Sequence, residues 1–301
     1  RGVVMHTTRW DPTVPLEGKR VAQIGTGASG AQLAVALAPK VERLTIFQRS
    51  RHWLLNNPNA GQPVPEGVKW ALRNIPTYAE WYRFRAYWFA ADGLFANVLR
   101  DPAWPHQERS VSELNDLLRA MLTEAIEAQY TDRPDLLPKV LPTYPPAAKR
   151  IIVDNGSWAA TVKRPDVTLT TDAISRIVPE GVVTADGALH PCDVLIYGTG
   201  FQPSRFLTPM KVVGRGGVDL HHRWDGDARA YLGVTVPGFP NLFLLYGPNT
   251  NNGSIIYMIE SQVDYVMRQI ERIDREHLAS MEVRREVQAA YNEQLQHDMD
   301  Q

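Results

Sequence analysis

The stretch "VAQIGTGASGAQLAVAL", Val21 to Leu37, decides how the rest of the chain is read. Val21 to Ile24 make a short apolar strand. Gly25, Thr26, Gly27, Ala28, Ser29 and Gly30 then turn the chain, and small residues from Ala28 to Ala38 make a helix that ends near Pro39. In such a strand–turn–helix the first glycine permits the tight turn and the second lets backbone approach a pyrophosphate. The third allows close packing of helix on strand. The helix N-terminus adds N–H groups and a partial positive charge, so the turn is a candidate phosphate cradle, with Gln32 just beyond it counted in the same set. A bare G-x-G-x-x-G is weak, and an ordinary glycine turn is its competing reading. Here a second strand, Leu44 to Gln48 in "RLTIFQ", follows at the distance that a dinucleotide-binding unit requires.

The end of that second strand chooses between cofactors. An NAD-binding protein places Asp or Glu there to bond the ribose 2′-hydroxyl. This chain has Gln48-Arg49-Ser50-Arg51, with Arg49 nineteen residues after Gly30. A carboxylate would repel a 2′-phosphate, whereas a guanidinium grips it through two charge-assisted hydrogen bonds. Arg49, with Ser50 beside it, is therefore read as selecting NADP over NAD, against the alternative of a solvated surface arginine.

Composition narrows the remaining classes. The 301 residues carry 32 Lys plus Arg against 33 Asp plus Glu, a formal net charge of −1. That balance argues against a nucleic-acid binder held by a broad basic face. The one cysteine, Cys192, leaves no intrachain disulfide, no redox cysteine pair and no multi-cysteine metal site, and no metal is expected. A reducing, cytoplasmic setting fits. No apolar run approaches the roughly 20 residues that span a bilayer, so no membrane partner is expected. The chain opens without methionine, inside what reads as a motif, and is expected to be part of a longer protein.

Four regions follow from the texture of the sequence. Residues 1–18, punctuated by Pro12, Pro15 and Gly18, read as a linker. Residues 19–51 and 149–190 read as one nucleotide-binding domain. Residues 52–148 read as a helical insertion, with helices expected in "TYAEWYRFRAYWFAADGLFANVLR" and in "SVSELNDLLRAMLTEAIEAQY". The second is capped by Ser110 with Glu113, or by Ser112 with Asn115 as a weaker variant. Residues 191–301 form the last region. It follows an expected hairpin at "PEG" and holds buried strands at Asp193–Tyr197 and in "NLFLLYG", then a helix in "SIIYMIESQVDYVMRQIERI". Trp81, Trp88, Phe89 and Phe95 fall at helical spacing, which marks core more often than a site.

"RGVVMHTTRWD" resembles the Baeyer–Villiger monooxygenase fingerprint F-x-G-x-x-x-H-x-x-x-W-P/D, with Gly2, His6, Trp10 and Asp11 on its positions. "IYGTGF" is similar to the A-T-G-F/Y segment of these flavoproteins, with Gly198 in place of alanine. "DARAYLGVTVPGFPNLFLLYGPNT" resembles them too, most of all the 4-hydroxyacetophenone monooxygenase branch. The resemblance runs over nearly the whole chain and is weakest in the helical insertion.

It implies an α/β fold: part of a Rossmann-like architecture with two dinucleotide-binding domains. Residues 191–301 would be the C-terminal part of the FAD-binding one. It implies FAD and NADPH as cofactors, and O₂ and a small ketone as reactants. One oxygen atom would be inserted beside the carbonyl by a flavin C4a-peroxide, giving an ester or lactone. Lys149 would join the 2′-phosphate site and Arg150 would reach over the flavin as the catalytic cation. His6 would couple the cofactor domains. Thr199, Gly200, Phe201 and Asn249 would contact the cofactor, and Asp193 and Gly247-Pro248-Asn249 would close over the flavin. The family's first flavin glycine motif and its C-terminal tryptophan-bearing segment are not found in the chain, and "GPNTNNGS" is shorter than the family's loop and lacks its histidine. Two rivals stand beside this reading: an N- or S-oxidising flavin monooxygenase, and an NADP-binding remnant without flavin or catalysis. A disulfide reductase needs two nearby cysteines. The particular substrate and the oligomeric state are not legible.

Overall fold

Side chains that alternate across five short strands build the sheet on which the candidate site rests. The computed structural model describes residues 2–250 and 254–300. In chain order, β1 (Val3–His6), β2 (Arg20–Ile24), α1 (Ala28–Leu37), β3 (Arg43–Phe47) and β4 (Leu54–Asn56) come first. The helices α2 (Glu66–Asn74), α3 (Tyr78–Ala90), α4 (Asp92–Phe95), α5 (Glu113–Gln129) and α6 (Leu137–Val140) follow. Next come β5 (Ile152–Asp154), α7 (Ser157–Val162), β6 (Val167–Thr170), β7 (Ile174–Val178), β8 (Gly181–Thr184), β9 (Leu189–Pro191) and β10 (Val194–Tyr197). The chain closes with α8 (Leu220–Trp224), α9 (Ile255–Arg275) and α10 (Arg285–Asp300). Contacts divide it into two compact units, Arg1–Val64 with Asn97–Phe201 and Pro65–Ala96 with Gln202–Gln301.

The first unit holds a five-stranded sheet in the order β1-β10-β2-β3-β6, parallel throughout. Parallel strands are covered on both faces, and the strand residues divide accordingly. Val21, Leu44, Ile46, Val194 and Ile196 join Ala31, Ala34 and Leu37 of α1 and Trp158 and Val162 of α7 in one core. Ala22, Phe47 and Leu195 join Val182 of β8 in another. Full burial of a residue such as Leu44 or Ile46 stabilises the fold by about 1.5–3 kcal/mol. The expected hairpin is present: β7 and β8 pair antiparallel across Pro179-Glu180, and β9 completes a three-stranded sheet. β4 and β5 pair in parallel beside the fully buried Trp53.

Of the helices between residues 52 and 148, α5 and α6 belong to the first unit and α2, α3 and α4 to the second. Ser112 is the N-cap of α5, its Oγ accepting from the Asn115 N–H at 3.2 Å. The Ser110 alternative is not used, because its hydroxyl donates to Asp116 Oδ1 at 2.9 Å. Asn115 does more than cap. Fully buried, it donates through Nδ2 to the Asn97 carbonyl at 2.8 Å and the Pro146 carbonyl at 3.2 Å.

The second unit has its own core of Leu220, Trp224, Ala230, Val236, Phe239 and Leu244. Two expectations fail in it. "NLFLLYG" is not a strand: Asn241 and Tyr246 take left-handed φ values of 58° and 56°, which break an extended run at both ends. The aromatics of α3 and α4 are not core, since Trp81, Trp88, Phe89 and Phe95 are all exposed. Rings at positions 78, 81, 82, 84, 87, 88 and 89 surround the helix, and no single neighbour can bury them all. Tyr87 does stack on Tyr257 of α9 at 4.1 Å, beside the Arg83–Glu260 pair.

Asp193 locks β10 to β2. Its carboxylate accepts from the Arg20 guanidinium at 2.7 and 3.1 Å and from the Arg20 N–H at 2.9 Å, which pushes its pKa down to about 2. A carboxylate held below its unfolded value stabilises the fold above that value, near 3.8, and loses the contribution as pH falls towards 2. Asp193→Asn is therefore expected to be less stable than the parent at pH 7, and to lose less between about pH 4 and pH 2. Urea midpoints across that range test it, and parallel losses in the two proteins would contradict the assignment.

Candidate functional site

The glycine turn lies where two parallel strands end side by side. Gly198, after β10, donates its N–H to the Ile24 carbonyl at 2.8 Å. Gly25 has φ 103°, and a Cβ on it would lie 2.4 Å from the Gly198 carbonyl oxygen. A Cβ on Gly30 would lie 2.4 Å from the Gly25 oxygen. Both positions admit only glycine. Gly27 differs, since a Cβ there would meet nothing within 4 Å. It caps α1 without any side-chain bond to the helix N-terminus, leaving space in front of the first N–H groups. Ser29 is exposed, Ala28 half-buried and Thr26 buried. Gln32 is exposed and lines a cavity of about 230 Å³ with Val35, Asn155 and Trp158.

Beside this cradle the structure separates the two candidate arginines. Arg51 is engaged, its Nε donating to the Pro138 carbonyl at 2.8 Å. Arg49 is exposed and makes no hydrogen bond or ion pair with any described residue, and Ser50 next to it is half-buried. Lys149 comes to the same loop from a distant segment. Its Nζ sits over the Tyr144 ring, 5.0 Å from the centroid, and the Tyr144 hydroxyl donates to the Arg51 carbonyl at 2.7 Å.

His52 and Gln48 complete the group. The Thr26 hydroxyl donates to Gln48 Oε1 at 3.4 Å and accepts from His52 Nε2 at 3.2 Å, while Gln48 Nε2 donates to the Lys139 carbonyl at 2.6 Å. Burial, and then the Lys149 ammonium, hold His52 below the ordinary histidine range. Sequence reasoning missed His52, Tyr144 and the buried Gln48. Gln48 and His52 carried a local signal, by their places beside Arg49.

The fingerprint residues gather partly. Gly2 is forced, as a Cβ on it would lie 2.3 Å from the Asp193 carbonyl oxygen. His6, at the end of β1, accepts the Thr8 N–H on Nδ1 at 3.1 Å. Its ring proton is thus on Nε2, which meets Thr199 Oγ1 at 3.2 Å. Trp10 is exposed. Asp11 accepts from Thr13 N and Oγ1 at 2.9 and 2.6 Å, which lowers its pKa, and neither residue joins the His6–Thr199 pair.

Thr199, Gly200 and Phe201 are exposed, and Gly200 has φ 90° with open space around it. Alanine would fit at Gly198, where a Cβ meets nothing closer than 3.4 Å. Asp193, in contrast, stands at the opposite end of β10 from Gly198, bound to Arg20 and removed from the glycine turns. Arg150 is exposed just before β5 and makes no hydrogen bond or ion pair with any described residue. Asn249 belongs to the second unit, in a turn with φ 62°. The shortened part of its loop, 251–253, lies outside the described residues. Among the described residues no helix is long and apolar enough to cross a membrane.

No family model matches the chain. It is 44% identical over 299 residues to an uncharacterized monooxygenase of Sinorhizobium fredii, covering 98% of this chain and 45% of that protein. It is 35% identical over 302 residues to a Baeyer–Villiger monooxygenase of Pseudomonas aeruginosa, covering 100% of this chain and 54% of that one. A solved structure of OTEMO in complex with FAD and NADP superimposes with a TM-score of 0.80 at 25% identity, covering 100% of this chain and 61% of that one. The chain spans about half the length of the curated relatives it matches. Over the length it spans, the chain is similar to Baeyer–Villiger monooxygenases in both sequence and fold.

Proposed function

We propose that this chain supplies the NADP site and part of the flavin site of a monooxygenase that inserts one oxygen atom of O₂ beside a ketone carbonyl, giving an ester or lactone. The observation that carries the cofactor reading is the pair of cations beside the cradle that no carboxylate of the described residues neutralises. Arg49 has no partner among the described residues, and Lys149 is brought to its loop by Tyr144. Two unneutralised cations next to an uncapped helix N-terminus suit a dinucleotide whose ribose bears an extra phosphate. The open face of Gly27 leaves room for the pyrophosphate. A related structure holds both FAD and NADP, which supports extending these cofactors to this chain.

Each residue then has a task of its own. The N–H groups that open α1 would take the pyrophosphate, and Arg49, Ser50 and Lys149 the 2′-phosphate. Thr199, Gly200 and Phe201 offer an exposed, sterically open strip, with His6 bonded to Thr199, for the flavin side. FAD bound there and reduced by NADPH would supply the activation of O₂. Arg150 carries a guanidinium, and it would hold negative charge at the reacting centre.

Arg49→Ala is expected to raise the KM for NADPH about 10- to 100-fold, the loss of a charge-assisted pair, and to leave that for NADH within about twofold. Steady-state kinetics with both nucleotides check this, and equal effects would remove the assignment. In the complete protein, Arg150→Ala is expected to let NADPH reduce the flavin while ester formation stops. Stopped-flow absorbance and product chromatography separate the two steps, and normal ester yield would refute the role.

A further inference from the structure

Gln23 stands in the middle of β2, where its sheet partners are Ile46 and Ile196, both fully buried. An apolar side chain would suit that place. Gln23 is itself fully buried, and its Oε1 has no hydrogen-bond partner, a state that costs stability. What it does instead is bond through Nε2 to two carbonyls of the glycine turn, Gly25 at 3.0 Å and Gly30 at 2.8 Å. Both partners are acceptors, so the amide nitrogen must be the atom that faces them.

We propose that Gln23 is a positioning residue that aims the phosphate cradle from behind. The Gly25–Thr26 peptide is trans, and in a trans unit the C=O and N–H point opposite ways. Holding the Gly25 carbonyl inward therefore turns the Thr26 N–H outward, away from the core. The second bond, to Gly30 in the first turn of α1, fixes the helix against the same amide. The turn cannot then rotate its N–H groups away from the ligand without breaking a buried bond. The role concerns the part common to NADP and NAD, the pyrophosphate, and not the 2′-phosphate read by Arg49. It rests on the cofactor reading above and adds a residue that reading does not use.

The test is calorimetric titration of the full chain with NADP and with NAD, for the parent and for Gln23→Met, which keeps the volume and removes the donor. The expected result is binding about tenfold weaker for both nucleotides, with their ratio unchanged and the thermal midpoint equal or higher. In the parent, the Thr26 amide resonance is expected to move on titration with inorganic pyrophosphate, and in the variant to move less. Undiminished binding of both nucleotides by Gln23→Met overturns the inference alone. A parent that binds neither nucleotide overturns the cofactor reading and the inference with it. Should the variant fail to fold, the parent decides: a Thr26 amide unmoved by saturating pyrophosphate refutes the outward N–H.

Discussion

Two glycine turns pressed together at the ends of adjacent parallel strands set the terms for the rest of the first unit. Gly25 and Gly198 approach so closely that a Cβ on Gly25 would collide with the Gly198 carbonyl oxygen. Gly30 brings α1 equally close to Gly25. Neither contact tolerates a side chain, so the strand ends are drawn together and the helix N-terminus is drawn onto them. Ligands of parallel α/β sheets bind outside the carboxyl ends of the strands, where the strand order reverses. Here that reversal falls between β2 and β10, since β3 and β6 lie to one side and β10 and β1 to the other. His6, Thr199 and the glycine turn meet at that edge because the topology leaves them no other place.

Charge is distributed around this edge with one consistent asymmetry. Two carboxylates at the sheet are paired with arginines: Asp193 with Arg20, and Asp166 with Arg164. The cations beside the cradle have no carboxylate partner among the described residues. Arg51 spends its hydrogen bond on a backbone carbonyl, Lys149 rests on an aromatic face, and Arg49 faces solvent. Positive charge left unpaired next to a helix N-terminus is unfavourable in isolation, and an anion between them reverses the sign. His52, half-buried and held below the ordinary histidine range partly by Lys149, registers that same positive field.

Much of this was legible because the relevant signals are local. The strand–turn–helix around Gly25, the hairpin at Pro179-Glu180 and the Ser112 cap are each specified within a few residues. Arg49 stands out in the sequence for the same reason, two residues past the end of β3. What escaped depends on long-range contact. Tyr144 carries Lys149 to a loop more than ninety residues earlier in the chain, and nothing around Tyr144 announces it. Asp193 departs from its expected place over the flavin because the strand read between it and Gly200 sets the two at opposite ends of β10, where Arg20 binds its carboxylate. "NLFLLYG" misled because an apolar run does not reveal the left-handed turns at Asn241 and Tyr246. The rings of α3 misled because helical spacing alone does not say what lies opposite.

The central claim is that cations from separate segments surround one phosphoryl group, and that group can be observed directly. A ³¹P NMR pH titration of NADP bound to the chain follows the 2′-phosphate by its own resonance. Its second ionisation lies near pH 6 in a free phosphomonoester. Flanking guanidinium and ammonium groups favour the dianion, so the account predicts a bound resonance that titrates at distinctly lower pH than in free NADP. A bound nucleotide whose 2′-phosphate titrates as it does in free solution would contradict it.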